Sequence, residues 1–411
     1  MRILFATMGT RGDVQPPLAL AKTLVARGHD VTLVAPPDFG RWIEQHGVRH
    51  RALGFDIQAW VKENEENIGS VATVMREMFA LMAKNVAAEF IVLGEEMAAH
   101  DVIVTSSLVT AGPTVAAVEK KPYFHLAFVP TILPSDTHAP FFVPWRDLPR
   151  ALNKVAWWLA QVGFNRPLRG PLNARRRELG LPPIGNVIDH LITDTTVLLA
   201  VDEVLAAMVS APGVSFRQVP SLVLDDPSEL SDDVRAFLDD GDPPVYIGFG
   251  SMPDSRPEET AAHLLRAVRE VGCRALIARG WSGLGMTGSD DANVLVVGAE
   301  PHGKLFPRCA AIVHHGGAGT TTTALRAGVP QVVVPFSVDQ PDWGLRVFRA
   351  GLGPPPLPKR KLNAERLAAA LHQCLDGGEM AANARAAAAR IAEGPGNEAA
   401  AEILENLVTR A

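Results

Sequence analysis

His314 and His315 are followed by three glycines in four positions, Gly316, Gly317 and Gly319, and then by Thr320 and Thr321. An apolar run, Ala311-Ile312-Val313, precedes them and a helical pattern follows. A glycine turn between strand and helix lets the backbone approach a ligand closely. The unpaired amides and the dipole at the helix start favour an anion there. The imidazoles add hydrogen-bond donors beside that cradle. A Gly-x-x-Gly turn alone also fits a tight connection that binds nothing. Asp339 and Gln340 downstream shift the reading, because a carboxylate beside a carboxamide suits vicinal hydroxyls.

A second set stands near the N-terminus. Ile3-Leu4-Phe5-Ala6-Thr7 reads as a buried parallel strand, Leu18, Ala21 and Val25 fall at helical spacing, and Val31–Ala35 supplies the next strand. Such a right-handed unit meets ligands at the loop following its first strand, here Gly9-Thr10-Arg11-Gly12-Asp13. The loop lacks the full dinucleotide fingerprint. On residue type alone, Asp13 suits a helix cap and a general base equally.

His314-His315-Gly316-Gly317-Ala318-Gly319-Thr320-Thr321, with Asp339-Gln340-Pro341 and Trp343-Gly344 behind it, resembles the donor signature of family 1 glycosyltransferases, in their sterol and bacterial natural-product branch. Gly9-Thr10-Arg11-Gly12-Asp13-Val14-Gln15-Pro16 resembles the first loop of the same branch. The resemblance is strongest over 5–16 and 296–352 and weak between 50 and 240. It implies the GT-B fold, two facing Rossmann-like doubly wound parallel-sheet domains with a cleft between them. The implied activity is inverting, metal-independent transfer of a hexose from a UDP- or dTDP-linked sugar to a hydroxyl of an apolar polycyclic, macrocyclic or sterol-like molecule. Asp13 is then the catalytic base, accepting the proton as the new C–O bond forms. Thr10, Ser251, His314, Gly316, Gly317, Gly319 and Thr320 fall near the diphosphate, and Asp339 and Gln340 on the sugar hydroxyls. Strand alternation turns only one of the adjacent histidines toward the cleft, and alignment with the family favours His314.

Where the plant branch opens its donor motif with a tryptophan that stacks on the base, this chain has Gly298-Ala299-Glu300-Pro301. Trp281 could stack there instead, or pack the domain. Acceptor binding falls to the first domain, with Phe79, Phe141, Phe142 and Trp145 as candidate apolar walls. A shallow membrane-facing patch near Trp157-Trp158 is the sterol-like variant of that surface. Asp240-Gly241-Asp242 has the spacing of a metal-binding pair but sits outside any strand end, so no metal or other cofactor is expected. Two rival readings are a non-catalytic homologue that activates a transferase and a nucleotide-sugar epimerase of the same architecture.

The length of 411 residues exceeds what one core organises and points to two domains. A net charge of −6 argues against a nucleic-acid partner. Three scattered cysteines fit a reducing cytoplasm, and no apolar run approaches the ~18 residues of a membrane span. Stable membrane insertion is therefore not expected, while peripheral contact stays open. Boundaries are expected at 1–215 for the acceptor domain, 216–242 for an aspartate- and proline-rich linker, 243–390 for the nucleotide-sugar domain and 391–411 for a helix crossing back to the first domain. In the second half, strands are expected at Val245–Phe249, Ala275–Ala278, Val294–Val297, Ala311–Val313 and Gln331–Val334, alternating with helices.

Overall fold

The structure is a computed structural model describing every residue except 58, 60–70, 107–108, 141–142, 144–147, 209–210, 253, 281–289, 392–395 and 411, and no side chain at 71–75, 78 or 410. It divides into two units. One holds residues 1–203, 207–224 and the C-terminal segment, and the other holds 204–206 and 225–394.

The first unit is a seven-stranded, all-parallel sheet: β1 (Arg2–Ala6), β2 (Asp30–Ala35), β3 (Arg49–Ala52), β4 (Val102–Ser106), β5 (Tyr123–Ala127), β6 (Thr196–Ala200) and β7 (Ser215–Val219), in the order β3-β2-β1-β4-β5-β6-β7. The inner strands are nearly continuous Val, Ile, Leu and Ala, as a sheet covered on both faces requires. Helices α1 (Arg11–Ala26), α2 (Val71–Met97), α3 (Gly112–Glu119) and α4 (Arg150–Glu178) cover it. The second unit repeats the plan with β8 (Val245–Gly248), β9 (Ala275–Ala278), β10 (Val294–Val297), β11 (Ala311–His314) and β12 (Gln331–Val333), ordered β10-β9-β8-β11-β12. Its helices include α5 (Pro257–Val271), α6 (Ala318–Ala327), α7 (Gln340–Arg349) and α8 (Ala364–Leu375).

In each sheet the chain runs outward from one central strand and then returns to that strand's other side. The order reverses between β1 and β4 in the first unit and between β8 and β11 in the second. Ligands of open α/β sheets bind beyond the carboxyl ends of the strands at such a reversal. The loops carrying Thr10 and Asp13, Ser251, and the glycine turn follow β1, β8 and β11, and the loop carrying Asp339 follows β12.

The stretch 216–242 contributes part of β7 to the first sheet and a short helix, Asp232–Asp239, to the second unit, with the changeover between Leu224 and Asp225. The last helix, α9 (Asn397–Arg410), belongs to the first unit, where Ala400, Ala401 and Leu404 join Val14, Leu18 and Leu24 in one core. Arg27 grips it through Glu398 and Glu405, and His29 adds a 2.7 Å contact to Glu405.

Candidate functional site

The loop after β1 is built around Asp13. Thr10 is the N-cap of α1 and Asp13 its third residue, so the Asp13 carboxylate folds back to accept the Thr10 amide at 2.9 Å and the Thr10 hydroxyl at 3.3 Å. Gly9 adopts φ +134°, and a Cβ there would lie 2.5 Å from the Asp13 carboxyl carbon. Only glycine leaves room for this carboxylate. Pro17 has no N–H to give the Asp13 carbonyl four residues back, and the buried Thr7 hydroxyl donates to that carbonyl instead at 3.0 Å. Ser106, at the end of β4, donates in turn to Thr7 at 2.9 Å. The capping role weighed from the sequence is thus present, and it fixes the carboxylate at the reversal point of the first sheet.

Across that reversal sits a group with no forewarning in the sequence. Glu89, on α2 and 1% exposed, accepts the amides of Thr110 and Ala111 at 2.7 and 2.8 Å and the Thr110 hydroxyl at 3.1 Å, at the start of α3. Burial with no nearby cation pushes its carboxyl up to about 7, against the pull of those three hydrogen bonds.

In the second unit, β11 ends on His314, whose side chain is fully buried. Its Nδ1 accepts the Gly316 amide at 3.1 Å, which assigns the proton to Nε2, donated to the Gln331 carbonyl oxygen at 2.9 Å. Burial, with His315 next to it, drives the imidazole down to about 3, so it is neutral. Both ring nitrogens of His314, the histidine that the family resemblance places near the phosphate, are committed to holding the turn. His315 is the half-buried member of the pair. Its ring lies by the Gly250 turn after β8, and a Cβ on Gly317 would lie 2.5 Å from its Nε2. Burial lowers its imidazole to about 4, so it too is neutral, and its Nδ1 has no partner. Ser251 is half-buried in the same β8 turn.

Gly316 takes φ +89° and packs against Val333, where a Cβ would lie 2.7 Å from Cγ1. Gly317 then caps α6, so the amides of Ala318, Gly319 and Thr320 form the open first turn of a ten-residue helix. Thr320 is half-buried and Gly319 exposed there.

The loop before α7 separates the expected sugar-binding pair. Gln340 is 5% exposed, and its carbonyl oxygen accepts the Phe336 and Ser337 amides at 2.8 and 3.1 Å. That oxygen holds the loop, while the Gln340 Nε2 donates to the Met252 sulfur at 3.0 Å. Asp339 is half-buried and accepts the Trp343 indole N–H at 2.9 Å. Val338, between the clamped amides and Asp339, has φ +58°, a region costly for a β-branched residue and most often tolerated at functional loops.

Phe79 is half-buried on α2 and meets the Phe164 ring edge-on at 4.9 Å, so it packs α2 on α4. Phe141, Phe142, Trp145 and Trp281 lie outside the described residues. Asp240 and Asp242 are exposed. Among the described residues no cluster of three or more His, Cys, Asp or Glu could hold a metal ion, and no helix is long and apolar enough to cross a membrane.

Residues 3–133 match the family described as glycosyltransferase family 28 N-terminal domain, and residues 263–408 match the erythromycin biosynthesis protein CIII-like C-terminal domain. The chain is 35% identical over 363 residues to glycosyltransferase GtfE of Amycolatopsis orientalis, spanning 86% of this chain and 85% of that protein. It is 33% identical over 358 residues to the vancomycin aglycone glucosyltransferase of the same organism, with the same coverage. The crystal structure of the spinosyn forosaminyltransferase SpnP aligns over 100% of this chain and 99% of its own with a TM-score of 0.73 at 20% identity, a likeness of fold. With both reversal-point loops in place and relatives at this identity over most of the chain, the protein belongs to the natural-product branch of the GT-B glycosyltransferases and transfers sugar.

Proposed function

We propose that the donor is a UDP- or dTDP-linked hexose and the acceptor a hydroxyl of an apolar polycyclic, macrocyclic or sterol-like molecule, with inversion at the anomeric carbon and no metal. The observation that carries the reading is the turn after β11. His314, locked between Gln331 and Gly316, holds the backbone so that the first amides of α6 open at the reversal point of the sheet, with His315 beside them. Those amides and the neutral His315 suit a diphosphate leaving group, whose charge grows as the glycosidic bond breaks.

In this reading the acceptor hydroxyl gives its proton to Asp13 as its oxygen bonds the anomeric carbon. The bond to the diphosphate breaks, and its electron pair leaves with the diphosphate oxygen. Asp339, fixed by Trp343, takes the sugar hydroxyls; Thr10 and Ser251 stay assigned near the phosphates. A cytoplasmic home is part of the proposal and agrees with the free thiols of Cys273, Cys309 and Cys374.

Asp13's bonds to Thr10 favour a second reading, in which it is only a cap and another group takes the acceptor proton. Thermal shifts with UDP, dTDP, UDP-glucose and dTDP-glucose without added metal identify the donor class. Transfer assays with wild type and Asp13→Ala then decide between the readings. Nucleotide binding retained with transfer lost supports the base, and unchanged transfer by Asp13→Ala refutes it. A shift that requires manganese refutes metal independence.

A further inference from the structure

Five of the large apolar side chains left open to water fall on eleven residues of α4. Leu152, Val155, Trp158, Leu159 and Val162 are between 46% and 60% exposed. Their spacing places them on one helical stripe, opposite the buried Asn153, Trp157, Ala160 and Phe164. The adjacent tryptophans separate the two faces. Trp157 is 6% exposed and donates its indole N–H to the His138 carbonyl at 2.9 Å, whereas Trp158 points outward. Exposed apolar residues scattered singly need no explanation, but a stripe of five does.

The charges around it are one-sided. Residues 150–177 contain seven basic residues and no acidic one, in a chain whose net charge is −6. Arg166 and Arg169 continue the stripe's own face beyond Val162, and Lys154 flanks it. Arg150, Lys154 and Arg166 have no ion pair among the described residues. Two copies meeting through this face would set these cations against each other uncompensated, while an anionic surface would compensate them.

We propose that the outer face of α4 docks the protein on an anionic lipid bilayer, the helix lying in the interfacial plane with Trp158 at headgroup depth and Lys154, Arg166 and Arg169 against lipid phosphates. The helix does not span the bilayer, since its inner face is the core of the first unit.

The full-length protein is co-sedimented with vesicles of phosphatidylcholine alone and with one third phosphatidylglycerol, in low salt and at about 0.5 M salt. The expected result is at least tenfold tighter binding to the anionic vesicles, weakened by salt. Lys154→Gln/Arg166→Gln loses about 25-fold, at roughly fivefold per charge. Val155→Ser/Trp158→Ser/Leu159→Ser loses binding to both vesicles. These side chains are exposed, so both variants keep the wild-type melting temperature and sugar-transfer rate on a water-soluble acceptor, which separates a failed docking face from a failed fold. Equal affinity for both vesicles, binding to neither, or binding retained by both variants overturns the proposal. Self-association of the wild type, abolished by the triple substitution without vesicle binding, assigns the face to a second copy instead.

Discussion

Gly9→Ala tests the link between the β1 loop and sugar transfer without replacing any ionisable group. Alanine would be forced into φ +134°, with its methyl carbon 2.5 Å from the Asp13 carboxyl carbon. A residue held in such a region costs about 1–3 kcal/mol, and pushing the carboxylate off the Thr10 amide removes a cap worth about 1 kcal/mol. The sum, about 2–4 kcal/mol, corresponds to a melting temperature roughly 5–15 °C lower for a unit of this size.

If Asp13 is the base, moving its carboxylate by about an ångström lowers kcat/KM about 100-fold at a temperature where the variant is fully folded. Nucleotide affinity, proposed to rest mainly on the turn after β11, falls far less than kcat/KM. Calorimetry with UDP and dTDP and transfer kinetics on the same sample read the two separately. A variant as stable as wild type refutes the steric argument. A destabilised but fully active variant refutes Asp13 as base and leaves it a cap.

His314→Ala strands the Gly316 amide and the Gln331 side chain in the core, and differential scanning calorimetry should show a loss of about 2–4 kcal/mol. His315→Ala should leave the melting temperature near wild type and weaken UDP or dTDP binding about tenfold by calorimetric titration; the opposite pattern reverses the roles assigned to the two rings. Glu89 carries a buried carboxyl raised to about 7, against 4.5 when unfolded. A raised folded value contributes stability that is complete below pH ~4.5 and lost as pH rises through ~7. Between pH 5 and 8 wild type should therefore lose about 2.5 kcal/mol more than Glu89→Gln in urea titrations, and parallel profiles refute the buried, unpaired carboxyl. Truncation before Asn397 uncovers a core that includes the fully buried Ala400, Ala401 and Leu404, and circular dichroism should show the first unit molten or unfolded.

Ten of the twelve strands are legible because each is an apolar run, as burial on both faces demands. The two that are not, β3 (RHRA) and β7 (SFRQV), are the edges of the seven-stranded sheet, where one side of the ladder faces water and polar residues suffice. Reading the aspartate-rich stretch as linker hid β7 for the same reason. The candidate loops were legible from glycine spacing, since a required positive φ leaves a mark in the sequence. Partners were not. Nothing in His314-His315 tells which ring turns inward, because that depends on Gln331, seventeen residues on and paired to the histidine only through the β11–β12 register. Glu89 and Val338 were silent, one being an ordinary helical glutamate until its burial is known, the other an ordinary valine until its φ is known.

Much of the donor motif acts on backbone before it can act on a ligand. His314 fixes Gly316, Gln340 fixes Phe336 and Ser337, and Trp343 fixes Asp339. A motif of this kind is conspicuous in sequence because several side chains must agree on one loop geometry, and that agreement is a folding requirement as much as a chemical one. Loss of activity on replacing any of them therefore says little about contact with substrate. The positions able to speak to contact are those the loops present without using them for closure: the α6 amides, His315 with its unpartnered Nδ1, and Ser251 in the β8 turn. Val338 stands in the same loop, held at φ +58° between a clamped pair of amides and Asp339, a backbone cost of the kind that clusters at functional loops.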